Sequence, residues 1–412
     1  MDVYRRFLFS HKKEILMKTK QTLVCGLLAV IFALAFTACD DGNGGGGGGG
    51  PHTHSYSTEW SYDETQHWRE CSCGAKTDEG DHTGNPCTVC GCGDLQKWTA
   101  VAESRMGSST IFGIAYGNNK FVAVGNSGQM AYSADGETWT NVNSSIFTAA
   151  CDINAIAYGD NKFVAGGFDK STSPNYIDKM ATSPDGETWK VVADSKVVDT
   201  KDIAYGNNKF VAVGGWNSGQ MATSPDGETW TAVTDNKFGT SRIYSIVYGN
   251  GKFVAVGERG TMAYSADGVT WTAVADSKFE VSEIIRSIAY GNNKFVAVGG
   301  TDTSPNLTGK IVTSTDGETW TAVTDSTFDT YITAIAYGNN RFVAGGLNGT
   351  MAYSADGVSW TAVADSAIWQ GTNIGGNSYT INIAAIAYGN GKFVAGGSGS
   401  GSGGGKIAYA YW

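Results

Sequence analysis

Three residue types are scarce in this 412-residue chain, and each scarcity excludes a class of protein. Only 6 prolines accompany 57 glycines, and aromatic residues reach 12%, a balance that favours short strands joined by tight turns over helices. All five histidines lie at or before residue 82, so the rest of the chain has no imidazole to act as a base. Only Cys151 follows residue 92, which excludes a disulfide scaffold there.

Charge is also scarce and is unbalanced toward acid. Charged residues make up 17% of the chain, and the formal net charge is −10. Binding to phosphate groups needs a basic surface, so nucleic acid is excluded as a partner.

The N-terminal region has the pattern of an export signal. Residues 22–38 are continuously apolar, Lys18 and Lys20 precede them, and Cys39 follows. A membrane-spanning helix is the alternative, but 17 residues are the minimum for a span, and a glycine tract follows at once. Met17 is an alternative start, since it opens a more typical basic segment.

The Ala-Cys junction at Cys39 resembles the lipobox of bacterial lipoproteins, with Phe36 where leucine is usual. The resemblance implies that residues 1–38 are a signal peptide and that Cys39 becomes the acylated N-terminus. The protein would then be held in the bacterial cell envelope, at the outer or the cytoplasmic membrane, facing the surface or the periplasm. Residues 39–51 would form a flexible glycine-rich tether.

Residues 52–92 form a small Cys/His-rich module. Two knuckles, Cys71-Ser-Cys73-Gly and Cys87-Thr-Val-Cys90-Gly, could converge on a tetrahedral zinc, with His82 or His67 as further candidate ligands. The module resembles short "HW..C.CG" segments of bacterial surface proteins. Disulfides are the alternative, since the compartment lies outside the cytoplasm. The module has too few aliphatic residues to form a hydrophobic core without a bound zinc ion or disulfides.

From residue 98 onward the chain repeats. The phrase IAYG, once IVYG, begins at residues 114, 156, 203, 246, 288, 335 and 386, so the period is 42 to 51 residues. Each unit contains four short strand patterns, which we call a to d, with an Asn-Gly or Asn-Asn turn between a and b. Such a period is typical of propeller blades; a β-solenoid is the alternative.

The last unit has no fourth strand of its own. Residues 386–412 supply strands a, b and c, and Trp98-Thr-Ala-Val101 has the pattern of the missing strand d. We therefore predict an all-β, seven-bladed propeller of four-stranded blades over residues 98–412. Pairing of the N- and C-terminal strands closes the ring and removes free sheet edges.

Six copies of S-x-D-G-x-[TS]-W connect strands c and d. This phrase resembles the Asp-box, or BNR repeat, of sialidase-like propellers, and is one residue shorter than usual. The box also occurs in photosystem assembly factors and sortilin-type receptors, so the resemblance implies the fold and no single activity. Its carboxylate can accept backbone N–H bonds within its own turn, so we assign a structural role to six aspartates: Asp135, Asp185, Asp226, Asp267, Asp316 and Asp356.

Membership of the sialidases would imply three arginines on a carboxylate, a Tyr–Glu nucleophile pair and an aspartic acid. Residues 98–412 contain only five arginines, and Arg341 stands where the other blades have lysine. We therefore expect no catalytic residues. The sequence favours a monomeric, lipid-anchored scaffold that binds a protein or glycan, with a sialidase-like glycoside hydrolase and a periplasmic assembly factor as alternatives.

Variation between the units concentrates in the b–c and d–a loops, which share one face of a propeller. Function concentrates in variable loops on a rigid scaffold. We expect no cofactor in the propeller and a ligand-binding face that contains seven residues: Tyr176, Trp216, Arg242, Arg259, Arg286, Trp369 and Tyr379.

Overall fold

The computed structural model describes residues 61–62, 66–70, 76–81, 97–143, 146–171, 176–303, 305–363, 367–372, 378–399 and 405–412. The chain divides into two compact units, Met1–Gly93 and Asp94–Trp412. In the first unit, three antiparallel strands pair in the order of the chain: Ser61–Tyr62, Gln66–Glu70 and Lys76–Asp81.

The second unit consists of seven antiparallel sheets, which confirms the predicted seven-bladed propeller. The strands of each blade are given in the order a to d. Blade 1 contains Ile111–Gly117, Lys120–Gly125, Met130–Ser133 and Thr140–Asn141, and blade 2 contains Cys151–Gly159, Lys162–Asp169, Ile177–Ser183 and Lys190–Val192. Blade 3 contains Thr200–Gly206, Lys209–Gly214, Gln220–Ser224 and Thr231–Ala232, and blade 4 contains Ile243–Gly249, Lys252–Gly257, Met262–Ser265 and Thr272–Ala273. Blade 5 contains Ile284–Gly291, Lys294–Thr301, Thr308–Ser314 and Thr321–Ala322, and blade 6 contains Ile332–Gly338, Arg341–Gly346, Met351–Ser354 and Thr361–Ala362.

Blade 7 joins the two ends of the propeller. Its strands a to c are Ser378–Gly389, Lys392–Gly399 and Lys406–Tyr411, and its strand d is Thr99–Ala100. Ala408 pairs with Ala100 and Tyr409 with Thr99, so the predicted closure is confirmed. A further strand, Gln370–Thr372, pairs with strand a. Short 3₁₀ turns lie at Asn126–Gly128, Glu258–Gly260, Leu347–Gly349 and Ala367–Trp369.

The repeated residues explain how neighbouring blades pack. The phenylalanine at the second position of each KFVAVG-type strand b is fully buried, as in Phe121 and Phe253. A Cβ added to Gly117 of blade 1 would lie 2.0 Å from the Tyr158 ring of blade 2, and the same relation recurs in every blade. The glycine that ends strand a therefore makes room for the tyrosine of the next blade, and seven apolar clusters fill the spaces between blades.

Each of the six Asp-Gly boxes forms the corner between strands c and d. In blade 1, Oδ1 of Asp135 accepts hydrogen bonds from the backbone N–H groups of Glu137 and Thr138 at 2.8 and 2.7 Å. The Trp139 indole donates to the Gly136 carbonyl at 3.1 Å. The same carboxylate contacts recur in the other five boxes. These carboxylates therefore hold their own turns.

The boxes also connect adjacent blades. Lys162 of blade 2 donates to the Asp226 carbonyl of blade 3 at 2.9 Å, and Lys209 of blade 3 donates to the Asp267 carbonyl of blade 4 at 2.8 Å. Arg341 of blade 6 faces blade 7, where the described residues include no box. Its guanidinium lies over the Trp412 ring at 5.1 Å instead. The arginine at this lysine position thus packs on the C-terminal residue.

Candidate functional site

Strand a of every blade contains a β-bulge at the residue two positions before the first residue of the IAYG or IVYG phrase. A bulge leaves one residue out of the ladder and re-aims its side chain. The bulged residue differs in all seven blades although the strand around it is repeated; the seven are Phe112, Asn154, Lys201, Tyr244, Arg286, Thr333 and Ala384.

All seven bulged residues line one central cavity of about 340 Å³. Strand a of every blade contributes to its lining, so the cavity lies in the channel along the axis of the ring. The bulges precede the repeated phrase and therefore lie toward the face where the d–a loops enter. A volume of this size suits a small ligand or the end of a larger one.

The cavity has two unlike sides. Its polar wall comes from blades 2 to 5 and includes Asp152, Asn154, Lys201, Asp202, Tyr244, Ser245, Arg286 and Ser287. Its apolar wall comes from blades 6, 7 and 1 and consists of residues 333–335, 384–386 and 112–114. A nearly symmetric scaffold thus surrounds an asymmetric site, which is what recognition of one ligand orientation requires.

A hydrogen-bonded network connects blades 3 and 4 at the polar wall. The Tyr244 hydroxyl donates to Oε1 of Glu258 at 3.0 Å, and Nε of Arg242 lies 3.5 Å from the same oxygen. Arg242 also donates from Nε to the Trp216 carbonyl at 2.5 Å and lies over the Trp216 ring at 5.0 Å. Burial, together with the charge of Glu258, raises the pKa of the Tyr244 phenol. Tyr244 is therefore protonated at neutral pH.

The other two cations of the site are held differently. Nζ of Lys201 lies 2.8 Å from Oδ1 of Asp199, a fully buried carboxylate that also accepts from Asn154 at 2.9 Å. Burial raises the pKa of Asp199 and lowers the pKa of Lys201, while their attraction opposes both shifts. The Arg286 guanidinium lies over the Tyr244 ring at 4.7 Å. Within the described residues it has no hydrogen-bond acceptor and no ion-pair partner.

Asp202 lies between blades 3 and 4 and has an unusual titration. Its Oδ2 accepts from the Ser245 hydroxyl at 2.7 Å and from the Ile246 N–H at 2.9 Å. Burial raises the pKa of Asp202 to about 6, against the effect of these hydrogen bonds. The charge on the polar wall therefore changes between pH 5 and 7.

Three aromatic residues extend the site onto the loop face. The ring centroids of Tyr176 and Trp216 are 4.8 Å apart, and the Phe168 ring lies 5.1 Å from that of Tyr176. Trp216 is 37% exposed, whereas Phe168 is buried. We call Phe168, Tyr176 and Trp216 the aromatic cluster. Nζ of Lys201 lies 5.8 Å from the Phe168 ring, which joins the aromatic cluster to the polar wall.

The structure thus brings Tyr176, Trp216, Arg242 and Arg286 of the predicted binding face together at or beside the cavity. Arg259 is exposed on the b–c turn of blade 4, with a positive φ of 57°, and does not line the cavity. Tyr379 is half-buried and packs on an apolar cluster of blade 7.

The prediction for Trp369 is wrong. Its side chain is 0% exposed, and its ring centroid lies 6.2 Å from that of Trp98 in the apolar cluster of blade 7. A long d–a loop with an aromatic residue suggested an exposed contact. In the structure Ala367–Trp369 forms a 3₁₀ turn, and the Trp369 indole packs in the core.

Sequence reasoning missed Lys201, Asp202, Tyr244 and Glu258. The sequence nevertheless contained a signal for them. The residues two and four positions before each IAYG or IVYG phrase differ from blade to blade, whereas the residues around them recur. Position four holds Asp152, Asp199, Arg242 and Tyr331 in blades 2, 3, 4 and 6. Strand a is apolar almost throughout, which is typical of a strand buried on both faces and conceals a ring of cavity residues.

Several predicted sites fall outside the described residues. These are the apolar segment 22–38, Cys39, the cysteines Cys71, Cys73, Cys87 and Cys90, and His82; of His67 only the backbone is described. Among the described residues, no group of three or more histidine, cysteine or acidic side chains is arranged to hold a metal ion. The same residues include no helix with the length and apolarity needed to cross a membrane.

Fold and site define this protein as a seven-bladed β-propeller with an asymmetric, ligand-sized cavity in its channel. Residues 183–308 match the family model described as the DUF6242 beta propeller domain. No curated protein matches the chain.

Three solved structures are similar to the chain in fold. A structure of YCF48 bound to D1 peptide is 17% identical, covers 76% of this chain and 96% of its own, and has a TM-score of 0.55. YCF48 from Cyanidioschyzon merolae is 18% identical over 76% of this chain and 98% of its own, with a TM-score of 0.54. The WD40 beta propeller domain of Doa1 is 12% identical over 76% and 97%, with a TM-score of 0.53. At these identities the likeness concerns the fold alone.

Proposed function

We propose that the protein is a non-catalytic binding scaffold whose propeller channel receives part of a protein or glycan ligand. The observation that carries the proposal is the ring of seven bulged residues. The blades repeat one another where they pack together, and they differ at the positions that line the cavity. Packing explains the repeated residues, and ligand recognition explains the varied ones.

A protein ligand has one further support. The similar YCF48 structure is described as bound to D1 peptide, so a propeller of this general fold can hold a peptide. By the same analogy, a role as a periplasmic assembly factor is a specific form of the scaffold proposal, in which the bound protein is a subunit of a membrane complex.

The sequence supports the cellular setting of this scaffold. We propose that Cys39 is acylated after signal cleavage, that residues 39–51 tether the protein to an envelope membrane, and that residues 52–92 are stapled by zinc or by disulfides. The Asp-Gly corners are, in this proposal, a shortened form of the Asp-box. Intact mass and metal analysis of the exported protein would test the acylation and the zinc.

The binding proposal is tested with the full chain on a glycan array and in pull-downs from envelope fractions. We expect one ligand that the wild type retains and that Arg286→Gln and Trp216→Ala lose. Arg259→Gln is the matched control, because it removes an arginine from the same face without touching the cavity. If all three variants retained the ligand equally, the binding site would lie elsewhere and the channel proposal would be wrong.

A glycoside hydrolase is a second candidate, favoured by the hydrogen bond between Tyr244 and Glu258. Sialidases use a tyrosine nucleophile activated by a carboxylate. Asp202, with its pKa raised by burial to about 6, could serve as the acid. Turnover of a fluorogenic sialoside that Tyr244→Phe abolishes would support this function. Equal hydrolysis by wild type and Tyr244→Phe, or none by either, would reject it.

A further inference from the structure

Arg286 is a guanidinium in the cavity whose donors have no acceptor. Its one aromatic contact is with the face of Tyr244, and within the described residues no carboxylate or carbonyl lies within hydrogen-bonding distance. A guanidinium offers five N–H donors in one plane, and their geometry matches a carboxylate. The charge of Asp202 acts on Arg286 from within the same cavity, but the guanidinium donors themselves remain without an acceptor among the described residues.

The other charges of the polar wall are already engaged. Lys201 is paired with Asp199 at 2.8 Å, Asp152 with Lys170 at 2.8 Å, and Arg242 lies 3.5 Å from Glu258. The oxygens of Asp202 accept from Ser245 and from the backbone N–H groups of residues 246 and 203. A ligand anion would consequently find its free partner at Arg286.

The opposite wall offers few polar side chains to a ligand. Its side chains include Phe112, Ile335, Ala384 and Ile386. The one hydroxyl there, that of Thr333, already donates to backbone carbonyls of residues 345 and 383. Hydrocarbon placed against these side chains would be removed from water, which is favourable.

We propose that the cavity binds an aliphatic carboxylate, with the anionic group on Arg286 and the hydrocarbon against the apolar wall. This inference rests on the proposed binding function and names the chemistry of its ligand. Two sources have this chemistry: the C-terminal residue of a peptide with a small apolar side chain, and a free short-chain carboxylic acid. A neutral polyol or an internal peptide segment lacks the anionic group.

The test is calorimetric titration of the full chain with matched probes. N-acetyl-Ala-Ala-Val with a free carboxylate is compared with its C-terminal amide, and hexanoate with hexan-1-ol. We expect at least one acid to bind about tenfold or more tighter than its neutral match, because hydrogen bonds to charged groups have this strength. Preference for the peptide acid over hexanoate identifies a chain terminus as the source, and the reverse identifies a free acid.

Two variants localise the effect. Arg286→Gln should remove the preference for the acid, and Arg259→Gln should keep it. Thermal unfolding followed by circular dichroism checks that both variants fold, and Arg286→Lys, which keeps the charge, should retain part of the preference. Equal affinity for acid and neutral probes in the wild type, or equal loss in both glutamine variants, would overturn the proposal. The channel pull-down is independent of these probes, so the binding function would stand if only the carboxylate inference failed.

Discussion

Nζ of Lys392 lies 2.6 Å from Oε1 of Glu137, so the last and the first blades are joined by residues 255 positions apart. The Lys392 side chain is only 4% exposed, which makes this contact the most buried of the lysine–glutamate ion pairs between blades in the described residues. The Tyr411 hydroxyl donates to the same glutamate oxygen. The C-terminal strand is thus fixed to blade 1 as well as to Thr99–Ala100.

Removal of this lysine should weaken the closure of the ring. We expect Lys392→Met to lower the free energy of unfolding by about 1–3 kcal/mol, because it leaves Glu137 without its charged donor. Urea denaturation measures the change. Lys252→Met is the matched control, since Lys252 pairs with Glu318 at 2.5 Å between sequential blades, is more exposed and should cost less. An equal loss in both variants would contradict a special role for the closing blade.

The box aspartates should make the propeller sensitive to strong acid. Backbone hydrogen bonds, from Thr229 first, lower the pKa of Asp226 to about 2, and those from Thr270 and Val269 do the same for Asp267. A folded pKa below the unfolded value near 4 adds stability above about pH 4, which is lost as the pH falls toward 2. Asp226→Asn should therefore destabilise the protein by about 1 kcal/mol at pH 7 and have little effect near pH 2.

The control for that variant lies in an a–b turn. Asp160 has the same kind of turn geometry as the asparagines of other blades, with a φ of 46°. Asp160→Asn makes the same charge change without removing a box carboxylate. It should leave urea midpoints at both pH values unchanged, and a loss equal to that of Asp226→Asn would show that general charge is responsible.

The raised pKa of Asp202 should give stability the opposite pH dependence, at a higher pH than the box aspartates do. Burial raises its pKa to about 6, so the folded protein holds this proton after the unfolded chain has released it. Its contribution to stability is complete below about pH 4, declines as the pH rises through 6, and is constant above. Asp202→Asn should flatten that decline, and it should also lower the stability by an amount that does not depend on pH, because the amide nitrogen cannot accept the hydrogen bonds that one carboxylate oxygen accepts. Parallel wild-type and variant stability curves from pH 4 to 7 would contradict the assignment.

Two tryptophans should separate folding from binding. Trp369→Ala removes a fully buried indole and should lower the free energy of unfolding by about 3–5 kcal/mol. Trp216 is 37% exposed, so Trp216→Ala should cost less than about 1 kcal/mol while weakening any ligand held at the aromatic cluster. Thermal unfolding of both variants measures the difference. A larger loss of stability in Trp216→Ala would reverse the assignment.

The position of the ligand face was only partly predictable. Arg242 and Trp216 were expected on one face, and they lie in contact there. Trp369 was expected beside them and packs in the core instead. Loop length and aromatic character do not distinguish an exposed tryptophan from a buried one, because in the sequence each is an apolar residue among polar loop residues.

The sequence by itself determined the blade. Period, turn residues and the Asp-Gly boxes recur, and a recurring local pattern can bury its surfaces only by stacking on copies of itself, so seven phrases require seven blades. Pairing of Trp98–Val101 with the C-terminal strand followed from the same count. Only the tertiary structure decided that one bulged residue per blade turns into the channel, where Lys201, Tyr244 and Arg286 become neighbours. The physical reason is that the packing of successive blades brings together residues more than 40 positions apart, whereas the repeat pattern does not show which residue of strand a leaves the ladder.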